Sequence, residues 1–256
     1  MSDQPFDLAA ALHAAAGPAD EAAGDGRLPA DPSLAFAELA RIDLRTHDLA
    51  FVLGRVAELA KATVPGADEV SVSILVDGGT TPAFTGTMAR DADERQYQAG
   101  GPCVQAAETG EPVLMNDIAI EERWPDYTPT AARVGIASSM SMPLPTQRAV
   151  QGAINLYSRR RDAFDEDALA LAETFAGYAG IAIANAHLYE ATASHARQME
   201  QAMASRAVIE QAKGLIMGQR RCTADEAFQV LARASQRSNR KLRDIAAEIV
   251  QAAQRR

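Results

Sequence analysis

The sequence predicts an α+β domain, an antiparallel sheet with flanking helices, joined by a long helix to a small all-α module. Three observations carry that reading. Between Ser33 and Thr192, strand-like alternation frames helical pieces, and helical spacing returns at both ends. No Pro or Gly interrupts the chain from Ile181 to Lys213, so a single helix can leave the domain and run on into the C-terminal segment. Charge is also divided unevenly. Residues 194 to 256 hold 12 Lys and Arg against 6 Asp and Glu, a net +6, while the first 193 residues hold 13 against 28, a net −15.

These boundaries give a leader over 1–32, a body over 33–192 and a linker helix with a basic module over 193–256. The leader, rich in Ala, Gly, Asp and Pro, buries too little apolar surface to offset chain entropy and is expected to be mostly disordered. After Thr46, read as an N-cap, Leu49, Val52, Leu53, Val56 and Leu59 mark an amphipathic helix ending near Thr63. "EVSVSILVDGGTTPAFTG" alternates Val70, Val72, Ile74 and Val76, turns at Gly78–Gly79 and continues extended, which reads as a hairpin. Short helices are expected at Asp91 to Gln98 and Pro102 to Thr109, then strands at Pro112 to Asn116, Ser138 to Pro143 and Val150 to Tyr157. The expected sheet has five or six strands.

Asp165 reads as the N-cap of the long helix, with Glu166 and Asp167 favourable in its first turn. That helix carries two apolar stripes, one with Leu169, Ala172, Ala176, Ala179 and Ile183, the other with Leu171, Phe175, Tyr178, Ile181 and Leu188. One stripe can cover the sheet. The other calls for the helix at 46–63 or a second subunit. Further on, Leu188, Thr192, His195, Met199, Ala202, Arg206 and Ile209 mix polar and apolar groups, the pattern of a weak, adjustable coiled coil or of a solvated spacer.

The basic module divides into three helices. Thr223 with Glu226 forms a capping box before a helix presenting Phe228, Leu231 and Ala234, and Leu242, Ile245, Ala246 and Ile249 define a third helix. Ile209, Ala212, Ile216 and Met217 read as core of the first, and Phe228 as core of the second. Gly214 inside a helix points to close packing or to close approach of a ligand. Arg206, Lys213, Arg237, Asn239, Arg240, Lys241 and Arg243 are the candidate nucleic-acid contacts: the cations for phosphates, Asn239 for a base edge or as cap of the third helix.

"SRAVIEQAKGLIMGQRRCTADEAFQVLARASQRSNRKLRDIAAEIVQ" (205–251) resembles the ANTAR domain, the module named for transcription antitermination regulators. The likeness rests on Ala212, Lys213, Gly214 and Met217, on Ala227, Phe228 and Leu231, and on Asn239, Lys241, Leu242 and Ala246. It implies a dimeric RNA binder that recognises paired stem-loops in nascent transcripts and prevents terminators from forming. The preceding body resembles a GAF domain, through "GGPCVQAAETGEPVLMNDI" and "SMPLPTQRAVQGAINLYS". That implies a sheet with helices on one face, a small-molecule site on the other, and an unknown effector as ligand.

No residue constellation points to an enzyme. His13, His47, His187 and His195 are scattered, and there is no HExxH pair, phosphate loop or GxSxG elbow. Cys103 follows Gly101 and Pro102 at a helix start, where the dipole lowers a thiol pKa, so it is a candidate ligand or redox group. A GAF-type redox enzyme or sensor using Cys103 and a DNA-binding helix-turn-helix regulator remain open as rivals. Neither cysteine has a metal-ligand spacing, so both are expected to be free thiols and no metal is expected. With 47% hydrophobic residues, no run of roughly 18 uninterrupted apolar residues and no signal-peptide start, the expected place is the cytoplasm, away from membranes.

Overall fold

Asp31 opens the first helix by accepting a hydrogen bond from the Ser33 amide, with Pro32 at the first helical position. In the computed structural model, which describes residues 31–75, 78–144 and 151–255, this is α1, Pro32–Arg41. The expected leader lies outside the described residues apart from Asp31 and Pro32. Helix α2, Leu49–Thr63, ends where expected but starts on Asp48, whose carboxylate accepts from the Phe51 amide at 2.9 Å. Thr46 is not the cap: its hydroxyl donates to the Asp43 carbonyl. An anionic oxygen one residue before the helix wins because it also faces the positive end of the dipole.

The sheet consists of β1 (Glu69–Ile74), β2 (Thr80–Phe84), β3 (Val113–Met115), β4 (Ser138–Pro143) and β5 (Gly152–Ser158) in the antiparallel order β2-β1-β5-β4-β3. Val76 and Val150 lie outside the described residues. Between β2 and β3 come α3 (Thr87–Ala99) and α4 (Pro102–Thr109). Helix α3 starts earlier than the apolar spacing suggests because Glu69, on β1, accepts from the Ala89 amide at 3.0 Å. A cap supplied 20 residues away leaves no local signature. A 3-10 turn at Ile118–Ile120 and the short α5 (Thr128–Arg133) occupy the run expected to be irregular.

Helices α1, α2 and α6 (Glu166–Arg220) bury one face of the sheet through Val70, Val72, Met140, Met142, Ile154 and Leu156. The opposite face is covered from α3 to α5. Asp165 caps α6, accepting from the Ala168 amide at 2.8 Å. Its first stripe is buried at Ala172, Ala176, Ala179 and Ile183, but Phe175 joins that side, leaving Tyr178 and Ile181 of the second stripe exposed. Tyr178 stacks on Phe36 of α1 at 4.8 Å, beside a cleft of about 240 Å³ lined in part by Leu39, Ile42 and Ile181. One window of α6 has a mean hydropathy of 1.2, enough by length and composition to cross a membrane, yet 39% of it is buried inside the protein.

The chain separates into two units, up to Ala191 and from Thr192, and the uninterrupted α6 contributes to both. In the second unit the end of α6, α7 (Ala224–Ser238) and α8 (Leu242–Gln254) share a core of Ala212, Ile216, Ala227, Leu231 and Ala246. The Thr223–Glu226 capping box is formed in both directions. Thr223→Ala should therefore lower the stability of this unit by about 1 kcal/mol, read as a shift in its urea midpoint. Two expectations about this core fail: Met217 and Phe228 are 36% and 40% exposed, each falling beside the narrow buried stripe. A Cβ built on Gly214 meets nothing within 4 Å, so of the two readings of that glycine close packing is excluded within this unit and close approach of a ligand is not.

Candidate functional site

Alternation along three strands builds the first candidate site. Ser71 and Ser73 alternate with Val70 and Val72, Ser139 and Ser141 with Met140 and Met142, Asn155 and Tyr157 with Ile154 and Leu156. The register sets Asn155 opposite both Ser71 and Ser141, and Tyr157 opposite Ser139. The face turned away from α2 and α6 is thus polar, yet every one of these six polar residues is at most 1% exposed. Polar alternates on a strand usually meet water; here α3 and α4 cover them.

Asp93 of α3 sits in this cluster with no exposed surface. Its carboxylate accepts from Thr81 at 3.0 Å, Ser73 at 3.2 Å and the Asn155 amide at 3.2 Å, and from the Tyr157 hydroxyl. Burial pushes the Asp93 carboxyl up to about 6, against these hydrogen bonds, which stabilise the anion. Gln96 ties the cluster to α4: its amide donates to the Tyr157 hydroxyl at 3.0 Å and its oxygen accepts from the Cys103 amide at 2.7 Å. Gly101 permits that tie, because a Cβ there would meet the Gln96 side chain at 2.5 Å.

Three polar atoms of the same face, Ser139 Oγ, Ser141 Oγ and Asn155 Oδ1, have no hydrogen-bond partner among the described residues. An unmet buried group costs about 1–3 kcal/mol, so these three atoms have bonding capacity for a water or a ligand. Among the described residues no Lys, Arg or His is buried. Sequence reasoning missed Asp93, Asn155 and the serines; the only trace was the strict alternation of small polar residues in strands central to the sheet.

Cys103 is fully buried, and burial followed by the Asp93 charge pushes its thiol up to about 12, the opposite of the lowering expected at a helix start. A thiolate nucleophile is therefore disfavoured. Cys103 and Cys222 are free thiols, and among the described residues no group of three or more His, Cys, Asp and Glu could hold a metal ion. His47 lies tilted against Phe51 at the start of α2, ring centroids 3.9 Å apart, and neither it nor His187 or His195 belongs to the polar cluster. His13 lies outside the described residues.

The basic candidates lie in the second unit. Lys213 pairs with Glu210 at 2.9 Å, Arg240 with Glu248 at 2.6 Å, and Arg243 approaches Asp244 at 3.7 Å. Arg206, Arg237 and Lys241 make no ion pair among the described residues, and all three are exposed. Asn239 does not cap the third helix. It ends α7 in the left-handed conformation at φ 50°, a position asparagine tolerates, and its side chain stays exposed. Lys241 stands at the N-cap of α8 without a side-chain hydrogen bond, so the first turn of α8 is uncapped beside Arg240 and Arg243.

Comparison with known proteins agrees with both units. A GAF domain model matches residues 46–184 and an ANTAR domain model residues 197–250. A search of curated proteins finds no match. Among solved structures, a type II free methionine-R-sulfoxide reductase from Thermoplasma acidophilum is 19% identical, covering 53% of this chain and 95% of its own, with a TM-score of 0.42. The substrate complex of free methionine-R-sulfoxide reductase from Neisseria meningitidis is 18% identical, with 62% and 89% covered and a TM-score of 0.48. The phycocyanobilin-bound GAF domain of a cyanobacterial phytochrome is 14% identical, with 62% and 97% covered and a TM-score of 0.49. With the GAF match alone spanning more than half of its length, the chain belongs to the GAF domain family and carries an ANTAR domain behind it, the architecture of a regulator.

Proposed function

We propose that this regulator acts on RNA: its GAF unit senses a small-molecule effector, and two copies of its ANTAR unit engage paired stem-loops in a nascent transcript, preventing a terminator from forming. The observation that carries the reading is the junction of α7 and α8. Exposed Arg237 and Lys241 flank a left-handed Asn239, next to a helix start whose amides have no side-chain cap. Such a helix start accepts a phosphate oxygen, and Asn239 offers both donor and acceptor to an unstacked base. Phe228, exposed on α7, adds a ring for stacking. Arg240 and Arg243 add positive charge at this junction and Arg206 and Lys213 add it on α6 of the same unit, Lys213 and Arg240 after releasing their glutamate partners.

Pairing of copies is supported by apolar groups left exposed on α6, among them Ile181, Met199 and Met203, the last two one helical turn apart. Because α6 belongs to both units, the effector can shift the population of paired modules. The protein performs no chemistry of its own and works in the cytoplasm. The domain limits 1–32, 33–192 and 193–256 serve as the working division.

Binding should be measured to a tandem stem-loop RNA, to its loop-mutated form and to a duplex DNA of equal charge, at two salt concentrations. Loop-dependent RNA binding with two protein chains per tandem site is expected. Arg237→Ala with Lys241→Ala should weaken binding and reduce the salt slope by about two, while helicity is unchanged. Equal affinity for all three nucleic acids would reduce the module to an electrostatic patch and end the proposal.

A further inference from the structure

Sensing by the GAF unit, on which this step rests, requires a ligand whose chemistry matches the buried polar face. Asp93 is buried with no cationic side chain among the described buried residues, and the partners around its carboxylate are neutral hydroxyls and amides. The titratable groups facing it are Tyr97 from α3, Cys103 from α4, Tyr127 just before α5 and Tyr157 from β5; all four have their ionisation pushed upward by burial, so none supplies positive charge. The β1 and β2 groups that reach it, Ser73 and Thr81, do not titrate.

Two of the unmet atoms, Ser139 Oγ and Ser141 Oγ, lie two residues apart on β4, and the third, Asn155 Oδ1, belongs to the residue paired with Ser141. The Asn155 nitrogen is already spent on Ser71, Ser73 and Asp93, so what remains open on that side chain is acceptor capacity. The open hydroxyls, Tyr127 Oη among them, can donate or accept and the open Asn155 oxygen can only accept; with the Asp93 carboxylate beside them the site calls for positive charge and N–H donors. A phosphate or carboxylate ligand would face Asp93 with no buried cation among the described residues to hold it. For a divalent metal the described residues offer one carboxylate here and no group of three or more His, Cys, Asp and Glu.

We propose that the polar face of the GAF unit binds a small organic cation with several N–H donors, an amine or a guanidine, with Asp93 as its countercharge and Ser139, Ser141 and Asn155 as its neutral acceptors. Entry requires α4 to move off the sheet. The link for that movement is Gly100–Gly101, with Gly100 at φ 74°, and the bond to be broken is the one from the Cys103 amide to Gln96. Cation binding is thereby coupled to the position of α4.

The test uses the full chain with methylguanidinium and ethylammonium chlorides, against sodium acetate, sodium phosphate and sodium chloride at equal ionic strength, followed by thermal unfolding and calorimetry. Saturable stabilisation by one of the cations at pH 7.5 is expected. Below pH 6 its affinity should fall about tenfold per pH unit as Asp93 takes up a proton. Asp93→Asn should abolish binding, and Ser139→Ala with Ser141→Ala should weaken it at least tenfold; far-UV circular dichroism selects the variants that fold. Stabilisation by an anion, or by neither cation beyond sodium chloride, or a cation effect that survives Asp93→Asn or the double serine variant, overturns the assignment. Tandem stem-loop binding on the same preparation separates the two readings: loop-dependent RNA binding without cation binding removes the ligand class alone, whereas cation binding without loop discrimination removes the RNA reader alone.

Discussion

Asp93→Asn should remove a gain in stability that the native chain shows on going from pH 7 to pH 5. The Asp93 carboxyl lies at about 6 in the folded chain against an ordinary value of 3.8, so the folded state holds the proton more tightly than the unfolded state. The contribution is fully present below the unfolded value and is lost as pH rises through about 6. The difference corresponds to about 3 kcal/mol, of which a little under half falls in the interval from pH 7 to 5. Exposed carboxylates act in the other direction only at lower pH. Asp43, held down to about 2 by Arg45, and Glu226, held low by its Thr223 hydrogen bonds, remain ionised throughout that interval. Asparagine has nearly the same shape but turns an amide nitrogen toward donors such as Tyr157, so the variant carries a constant cost. The slope against pH, not the absolute stability, is therefore the readout. Urea unfolding followed by Trp124 emission reports the first unit alone, because the chain's one tryptophan and all five tyrosines precede Thr192. Parallel slopes for native and variant proteins between pH 7 and 5 would sink the assignment of a raised carboxyl to this site.

What could be read in advance divides by how far apart the interacting groups stand in the chain. The Thr223–Glu226 box and the Asp165 cap are settled within one helical turn, and both form where their residues indicate. The start of α3 depends on Glu69, a strand residue, and was displaced accordingly. The strands themselves were visible as alternation, but alternation has two meanings. It separates two faces without saying which is wet, and in β1, β4 and β5 the serine side is dry because α3 and α4 cover it. Asp93 lies in a helix whose sequence, "TMARDADERQYQA", reads as solvated, and only the sheet's register reveals that this carboxylate has hydroxyl and amide partners from three strands. In the second unit the apolar stripe was correct at Ala212, Ile216, Leu231 and Ala246. It proved narrower than spacing implies, which is why Met217 and Phe228 fall outside it. Asn239 was legible as a helix boundary residue, but its φ of 50° ends α7 where a cap for α8 was equally compatible with the sequence.

Leu231→Ala is expected to unfold the second unit while leaving the first intact. Of the five buried residues in that core three are alanines, so Leu231 and Ile216 are its two large buried side chains, with Ile209, Leu242, Ile245 and Ile249 packed against them from partly buried positions. Truncating a buried leucine costs about 2–5 kcal/mol through lost transfer energy and the cavity left behind. A unit of this size has little more than that to lose. Helices α7 and α8 should melt, and far-UV circular dichroism should show the loss, while Trp124 emission and the urea transition of the first unit remain those of the native chain. Loop-dependent RNA binding should disappear with the helicity. Phe228→Ala is the matched control: at 40% exposure the ring contributes little to the core, and its removal should change stability by about 0.5 kcal/mol or less. A drop in RNA affinity without a drop in helicity would then assign Phe228 to base stacking. If instead Leu231→Ala lowered the Trp124 transition together with the helical signal, the two units would be one cooperative whole, and the division of labour between sensor and reader would have to be abandoned.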